Sequence, residues 1–376
     1  MDHIPHGKTG LVLTGGGARG AYQAGALRAI SEIAEQLNME RPFPVLCGTS
    51  AGALNAVFLA AHAQSFQEAV MNLIDLWSHV QTQQVFKIDP ASLLRIATRW
   101  MIELSTGSFL GPKKVRALLD TSPLWHLVEH GVHFPDIQAN IDAGFFESLA
   151  ITAVNYVQGT TQTFYQTNQT IEPWQRARRM ALKTTISAPH VMASTAIPIL
   201  FPPVKLGDNY FGDGSLRNYA PMSPAIKLGA RKLLVIGVRR HEWSEAPHTF
   251  QTPSLARVVS VILNSVFLDA VDLDMERLQR VNRLLEAVPN ENQLGLQPIH
   301  VSLLRPSEDI GKIAEEEAKH MPFVIRHLIR GLGSPAEAAD LVSYLLFEPS
   351  YTRRLMELGY QDGMGQAEAI RELLTS

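Results

Sequence analysis

Residues 44–55 read PVLCGTSAGALN, and the fold turns on how this stretch is parsed. Val45, Leu46 and Cys47 form an apolar run of strand length, and the alanine-rich stretch after Gly52 reads as a buried helix. Between them, Gly48-Thr49-Ser50-Ala51-Gly52 must turn a strand directly into a helix. Such a bend leaves no room for Cβ atoms beside it, a demand met by Gly48 and Gly52, and it holds Ser50 in a strained, exposed conformation. The helix start below contributes unpaired N–H groups and a positive dipole end, both favourable to an anion. The pattern is that of a nucleophile elbow, though ordinary turns of glycine, serine and alanine satisfy it too.

The same geometry is expected one unit earlier. Residues 10–13 read as a first strand, Gly15-Gly16-Gly17-Ala18-Arg19-Gly20 as the turn after it, and 21–37 as a helix with Ala24, Leu27, Ile30, Ile33 and Leu37 on one face. Gly15, Gly17 and Gly20 satisfy the dinucleotide-binding spacing, but that reading requires an acidic residue at the end of the second strand, where this chain has Gly-Thr-Ser-Ala-Gly. Successive glycine amides at a helix start suit the oxyanion of an acyl-transfer intermediate equally well. Two adjacent strand–turn–helix units therefore put donors and a nucleophile at one carboxyl edge of a mostly parallel sheet, where open α/β sheets bind ligands.

Composition fits this reading. The chain has 376 residues, 46% hydrophobic and 18% charged, with a net charge of −3, enough for a large core and without the basic stripe that nucleic-acid binding needs. Its one cysteine, Cys47, lies in an apolar run and reads as packing. Scattered histidines and a single cysteine offer no metal signature, so no metal or other cofactor is expected. The apolar run at Leu11-Val12-Leu13 stops at Thr14-Gly15, too soon for a leader, and no stretch is long and apolar enough to span a membrane. A cytoplasmic protein is expected, with transient membrane contact left open by a stripe of Leu93, Leu94, Ala97, Trp100, Met101 and Leu104 flanked by Arg95 and Arg99.

Further along, 148–157 reads as a strand and 160–166 as its hairpin partner, followed by a basic helical stretch at 176–185. Three prolines make 193–204 a rigid packed loop, and a hairpin around Gly207-Asp208-Asn209 then delivers Gly212-Asp213-Gly214-Ser215. Asp213 stands between two glycines, where a carboxylate can approach backbone closely; Asp208, in the turn itself, reads as a local hydrogen-bonding residue. Residues 232–238 read as another buried strand, 254–288 as one or two long helices, 299–304 as a late strand, and 308–376 as helical.

The glycine turn 15–20, Gly48-Thr49-Ser50-Ala51-Gly52 and Asp213-Gly214, in this order, resemble the three motifs of the patatin-like phospholipases. The 193–203 segment, the helix around 264–282 and Ser343-Tyr344-Leu345-Leu346-Phe347 are similar to bacterial members of that family, so the resemblance covers most of the chain. One departure is Ser215, where the family more often has glycine or alanine. The resemblance implies a three-layer α/β sandwich over 8–240, with helices on both faces of the sheet, and a mainly helical region over 241–376. It also implies a lipid acyl hydrolase acting on phospholipids or lysophospholipids through a Ser50–Asp213 dyad and an acyl-enzyme. In that reading Gly15, Gly16, Gly17 and Ala51 supply the oxyanion amides, Gly48, Gly52 and Gly214 shape the backbone, and Arg19 pins the glycine loop or meets a phosphate. Two alternatives remain at this level: a hydrolase triad using His241, His248 or His300, and a non-catalytic phosphate- or nucleotide-binding module.

Overall fold

A computed structural model describes residues 7–88, 98, 117–240, 252–267, 269–288 and 296–376. The stripe at Leu93–Leu104 as well as His241 and His248 lie outside the described residues. Strands β1 (Lys8–Leu13) and β2 (Val45–Thr49) run side by side and parallel, with Leu13 opposite Gly48. β3 (Ser148–Asn155) continues the sheet beyond β2 in parallel, and antiparallel β4 (Thr160–Thr167) closes the expected hairpin. Past it lie the short β5 (Gln175–Arg176) and β6 (Arg179–Lys183). β7 (Val204–Leu206) and β8 (Asn209–Asp213) form the second hairpin, while β9 (Ala230–Ile236) and β10 (His300–Leu304) extend the sheet on the far side of β1. Its centre, β10-β9-β1-β2-β3, is parallel throughout.

The period-2 pleat explains why both faces are apolar. Leu11, Leu13, Leu46, Leu149 and Ile151 face one side, packed under α1 (Gly20–Gln36), α2 (Ala51–Ala61), α3 (Phe66–His79) and the C-terminal helices Pro335–Leu345 and Pro349–Gly365. Val12, Val45, Cys47, Ala150 and Val235 face the other, under the helices Ser223–Lys227 and Ala270–Ala287. Cys47 is buried as packing, and burial pushes its thiol pKa up. The protein is thus a mixed α/β sandwich with a central sheet, helices on both sides and a helical C-terminal region. Among the described residues, no helix is long and apolar enough to cross a membrane.

Two local expectations are corrected. Residues 176–185 are not helical: a turn at 177–178, with Arg178 at a φ of 60°, joins β5 to β6, and β6 pairs in parallel with β4 from Thr161↔Arg179 to Tyr165↔Lys183, so the free edge of β4 overrides a helical composition. The 193–204 segment begins inside a helix, Ala188–Thr195, with Ser187 as its capping residue and Pro189 in its first turn. Only residues 196–203 form the loop, which holds Ile199 exposed at a φ of 70°, and Val204 already opens β7.

Candidate active site

Ser50 sits at φ 56° and ψ −127°, a conformation costly for any residue with a Cβ, directly between β2 and α2. The approaches that force it are local. A Cβ on Gly52 would stand 2.2 Å from the Leu13 carbonyl oxygen, and one on Gly48 2.2 Å from that of Gly52. The Ser50 amide donates to Ser194 Oγ at 3.0 Å, and that hydroxyl donates to the Thr152 carbonyl at 2.6 Å, so the Ala188–Thr195 helix clamps the elbow to β3. Contrary to the expected exposure, Ser50 is only 1% accessible, because this helix and the loop after β8 close over it.

The carboxylate arrives through strand register. β2 ends with Thr49 opposite Thr152 of β3, and β3 continues to Asn155 with β4 along its other edge. The edge that β2 vacates is taken by β8, antiparallel, with Asp213 opposite Ala153. Asp213 therefore occupies the next position along β3 from the partner of Thr49, beside the bend that carries Ser50. A Cβ on Gly214 would meet the Thr152 carbonyl oxygen at 2.1 Å, so the chain turns off β8 only with glycine there. The Asp213 amide donates to the Ala196 carbonyl at 2.8 Å, tying it to the segment that holds Ser50.

Asp213 is fully buried. Oδ1 accepts from the Ser215 amide at 2.8 Å, while Oδ2 completes no hydrogen bond of full geometry among the described residues. Desolvation raises its pKa to about 7, opposed by hydrogen bonding from the Ser50 side chain and from Ser215. The Ser50 hydroxyl is thus close enough to act on the carboxyl without completing a well-aligned bond. No cation contributes to the Asp213 shift.

The glycine loop lies against the serine. A Cβ on Gly15 would be 3.0 Å from Ser50 Cβ, while Gly16 packs on Val238 and Gly17, at φ +57°, on the Tyr344 carbonyl. The amides of Gly15, Gly16, Gly17 and Ala51 find no acceptor among the described residues, and Ala51 opens α2 beside Ser50. Arg19 is 3% accessible; its Nε donates to Ser343 Oγ at 2.8 Å, its terminal nitrogen to Asp340 Oδ1 at 2.9 Å, and its guanidinium lies 4.4 Å from the Tyr344 ring centre. Of the two roles expected for it, the structure gives it the partners of a pin. Asp340 also accepts from Asn264 at 2.7 Å, so the Leu255–Phe267 and Pro335–Leu345 helices jointly hold the loop.

Sequence reading missed Ser194, Asn218 (which donates to Thr49 Oγ1 at 3.2 Å) and the Asp340 cluster. No local pattern marks a serine or asparagine whose partner lies elsewhere in the chain. Asp208 lies exposed in its turn, as expected of a local residue. His300 opens β10 opposite Lys232, whereas the site lies past the carboxyl ends of the strands, so His300 is not part of this cluster. Among the described residues, no group of three or more His, Cys, Asp or Glu could hold a metal.

The patatin-like phospholipase family profile matches residues 11–226, which hold the glycine loop, the elbow and Asp213. No curated protein sequence matches the chain. Among solved structures, the chain is similar to the crystal structure of VipD from Legionella pneumophila, at 12% identity and a TM-score of 0.38, covering 97% of this chain and 67% of that one. With a profile spanning more than half of its length, the chain belongs to the patatin-like phospholipase family.

Proposed function

We propose that the protein hydrolyses carboxylic esters of phospholipids or lysophospholipids through Ser50 and Asp213, without a metal. The observation that carries this reading is the shared edge of β3, which sets Asp213 beside Ser50. Asp213 takes the Ser50 proton as Oγ attacks the ester carbonyl, and the amides of Gly15, Gly16, Gly17 and Ala51 receive the oxyanion. The protonated carboxyl then returns that proton to the leaving alcohol, leaving an acyl group on Ser50. Water, deprotonated by Asp213, attacks the acyl carbonyl, and the protonated carboxyl returns that proton to Ser50 Oγ as the fatty acid leaves. Residues 8–240 carry this chemistry, and 241–376 steady the glycine loop through Arg19. A nucleotide- or phosphate-binding module would not need a carboxylate buried beside its serine.

Burial suits Asp213 to the task. A carboxylate at its ordinary pKa of about 3.9 is a weak base, whereas one near 7 is matched to neutral pH. Only the ionised form accepts the proton, so kcat/KM is expected to rise tenfold per pH unit on the acid side and level off above a midpoint near 7. A midpoint below about 5 would remove Asp213 as the base. The broader reading is tested by the products released from mixed phospholipid vesicles, together with labelling by a fluorophosphonate probe. Free fatty acid with label on Ser50 alone is expected, and fatty-acid release with label only on another residue would remove the mechanism.

A further inference from the structure

Three polar side-chain atoms of residues 213–217 are buried without a completed hydrogen bond among the described residues: Asp213 Oδ2, Ser215 Oγ and Arg217 Nε. Ser215 is itself 6% accessible and stands two residues after the carboxylate. Its backbone is already committed to the carboxylate, since its amide donates to Asp213 Oδ1 at 2.8 Å. Its hydroxyl and the Ser50 side chain flank the same glycine: the point where a Gly15 Cβ would stand lies 2.3 Å from Ser215 Oγ and 3.0 Å from Ser50 Cβ. A buried hydroxyl with no partner costs free energy, and replacing it by alanine would remove that cost without loss of fit.

We propose that Ser215 is a positioning residue for the Asp213 carboxylate, its hydroxyl donating to the carboxyl whenever the Ser50 oxygen is bonded to an acyl group. The inference rests on the dyad reading and adds to it a step that the dyad leaves open. Once Ser50 is acylated it has no proton to offer, yet Asp213 must remain an ionised base for the incoming water. In a buried site that requires a second donor besides the Ser215 amide. The hydroxyl is a rotor, so its proton can turn to the carboxyl at that stage.

Among the described residues, the hydrogen bonds that hold the Asp213 pKa down come from Ser50 and Ser215. Hydrogen bonding from Ser215, through amide and side chain, lowers the Asp213 pKa against the larger desolvation effect. Tyr156, in the β3–β4 turn, and Tyr344, on the Pro335–Leu345 helix, are neutral phenols, each pushed up to about 12 by burial first; the Tyr344 hydroxyl donates to Asn264 Oδ1 at 3.3 Å, the Tyr156 hydroxyl lies over Gly212, and neither contributes to the Asp213 shift. His190, on the helix that clamps Ser50, is engaged with Ser187 Oγ at 2.9 Å and packs edge-on to Phe164. Arg217, in the same turn as Ser215, does not contribute to the Asp213 shift.

The experiment compares pH profiles of kcat and kcat/KM for wild type, Ser215→Ala and Ser215→Gly, with Asp213→Asn alongside. A donor that favours the charged carboxylate lowers its pKa, so removing the hydroxyl raises it. Both variants are expected to move the acid midpoint of kcat up by about one pH unit, a loss of about tenfold in rate below the limb, with the midpoint of kcat/KM, which reports the free enzyme, moved less. Alanine and glycine must agree, because both lack the hydroxyl, and either suffices if the other folds poorly. Unchanged midpoints in the variants, whatever their Tm, would overturn the inference and leave Ser215 a packing residue. An active Asp213→Asn enzyme would instead overturn the dyad reading itself.

Discussion

Ser50→Ala and Asp213→Asn are each expected to lower ester hydrolysis by about four orders of magnitude or more, with the fold intact. Alanine keeps the Cβ that Ser50 already holds at φ 56° and leaves the amide free to donate to Ser194, so only the nucleophile is lost. Asparagine fits where Asp213 lies, and its carbonyl oxygen can still accept the Ser215 amide bond at 2.8 Å, but it cannot take a proton. Stability should move the other way in that variant. The folded-state pKa of Asp213 is raised from 3.8 to about 7, so the protonated form is the one the fold favours. Its contribution to stability is full below pH 3.8 and is lost as pH rises through 7. Asparagine never ionises, so the Tm of Asp213→Asn should equal that of wild type in acid and exceed it above neutral pH, a gain typical of removing a strained catalytic group. Product release and thermal melts across pH check both halves. Undiminished hydrolysis in either variant would sink the dyad, and a Tm for Asp213→Asn below wild type at pH 8 would sink the account of burial.

Arg19→Ala is expected to combine a stability loss with a catalytic one. The guanidinium is 3% accessible and holds Ser343, Asp340 and the Tyr344 ring at once. Removing one member of a buried pair typically costs about 3–5 kcal/mol because its partner is left uncompensated. Asp340 is 23% accessible and retains the Asn264 bond, which reduces the figure to about 2–3 kcal/mol here. The catalytic effect follows from position. Arg19 ends the turn that begins at Gly17, whose backbone rests on Tyr344, so losing the pin lets the amides proposed to receive the oxyanion drift. A displacement of about 1 Å in a catalytic site costs on the order of a hundredfold in kcat/KM. Arg19→Lys keeps the charge but cannot reach Ser343 and Asp340 with the same planar fork, so an intermediate loss is expected. Melting temperature and kcat/KM for the two variants test this. Wild-type values of both in Arg19→Ala would show that the loop is held by something else.

The elbow, the glycine loop and the alternation of the parallel strands were legible in the sequence because their causes are local. Gly48 and Gly52 are excluded from bearing side chains by carbonyls of their own turn and of the neighbouring strand, and the β1 pattern Leu11-Val12-Leu13 already states that both faces are covered. Residues 176–185 were misread for the opposite reason. Nothing in their own composition reveals that β4 has an edge to fill. The expected exposure of Ser50 failed likewise, since the helix that covers it is far along the chain.

Asp213 marks the division most clearly. By itself the sequence determined that a serine would stand at a strained bend, that unpaired amides would stand near it, and that an aspartate would follow a hairpin, each from steric rules acting over a few residues. Only the tertiary structure decided that β8 completes the edge of β3 that β2 leaves, that the carboxyl is thereby stripped of water, and that Arg19 finds its partners 321 and 324 positions later. Strand pairing and burial join residues that the chain keeps far apart, and no periodicity or spacing encodes which unfilled edge a distant strand will take.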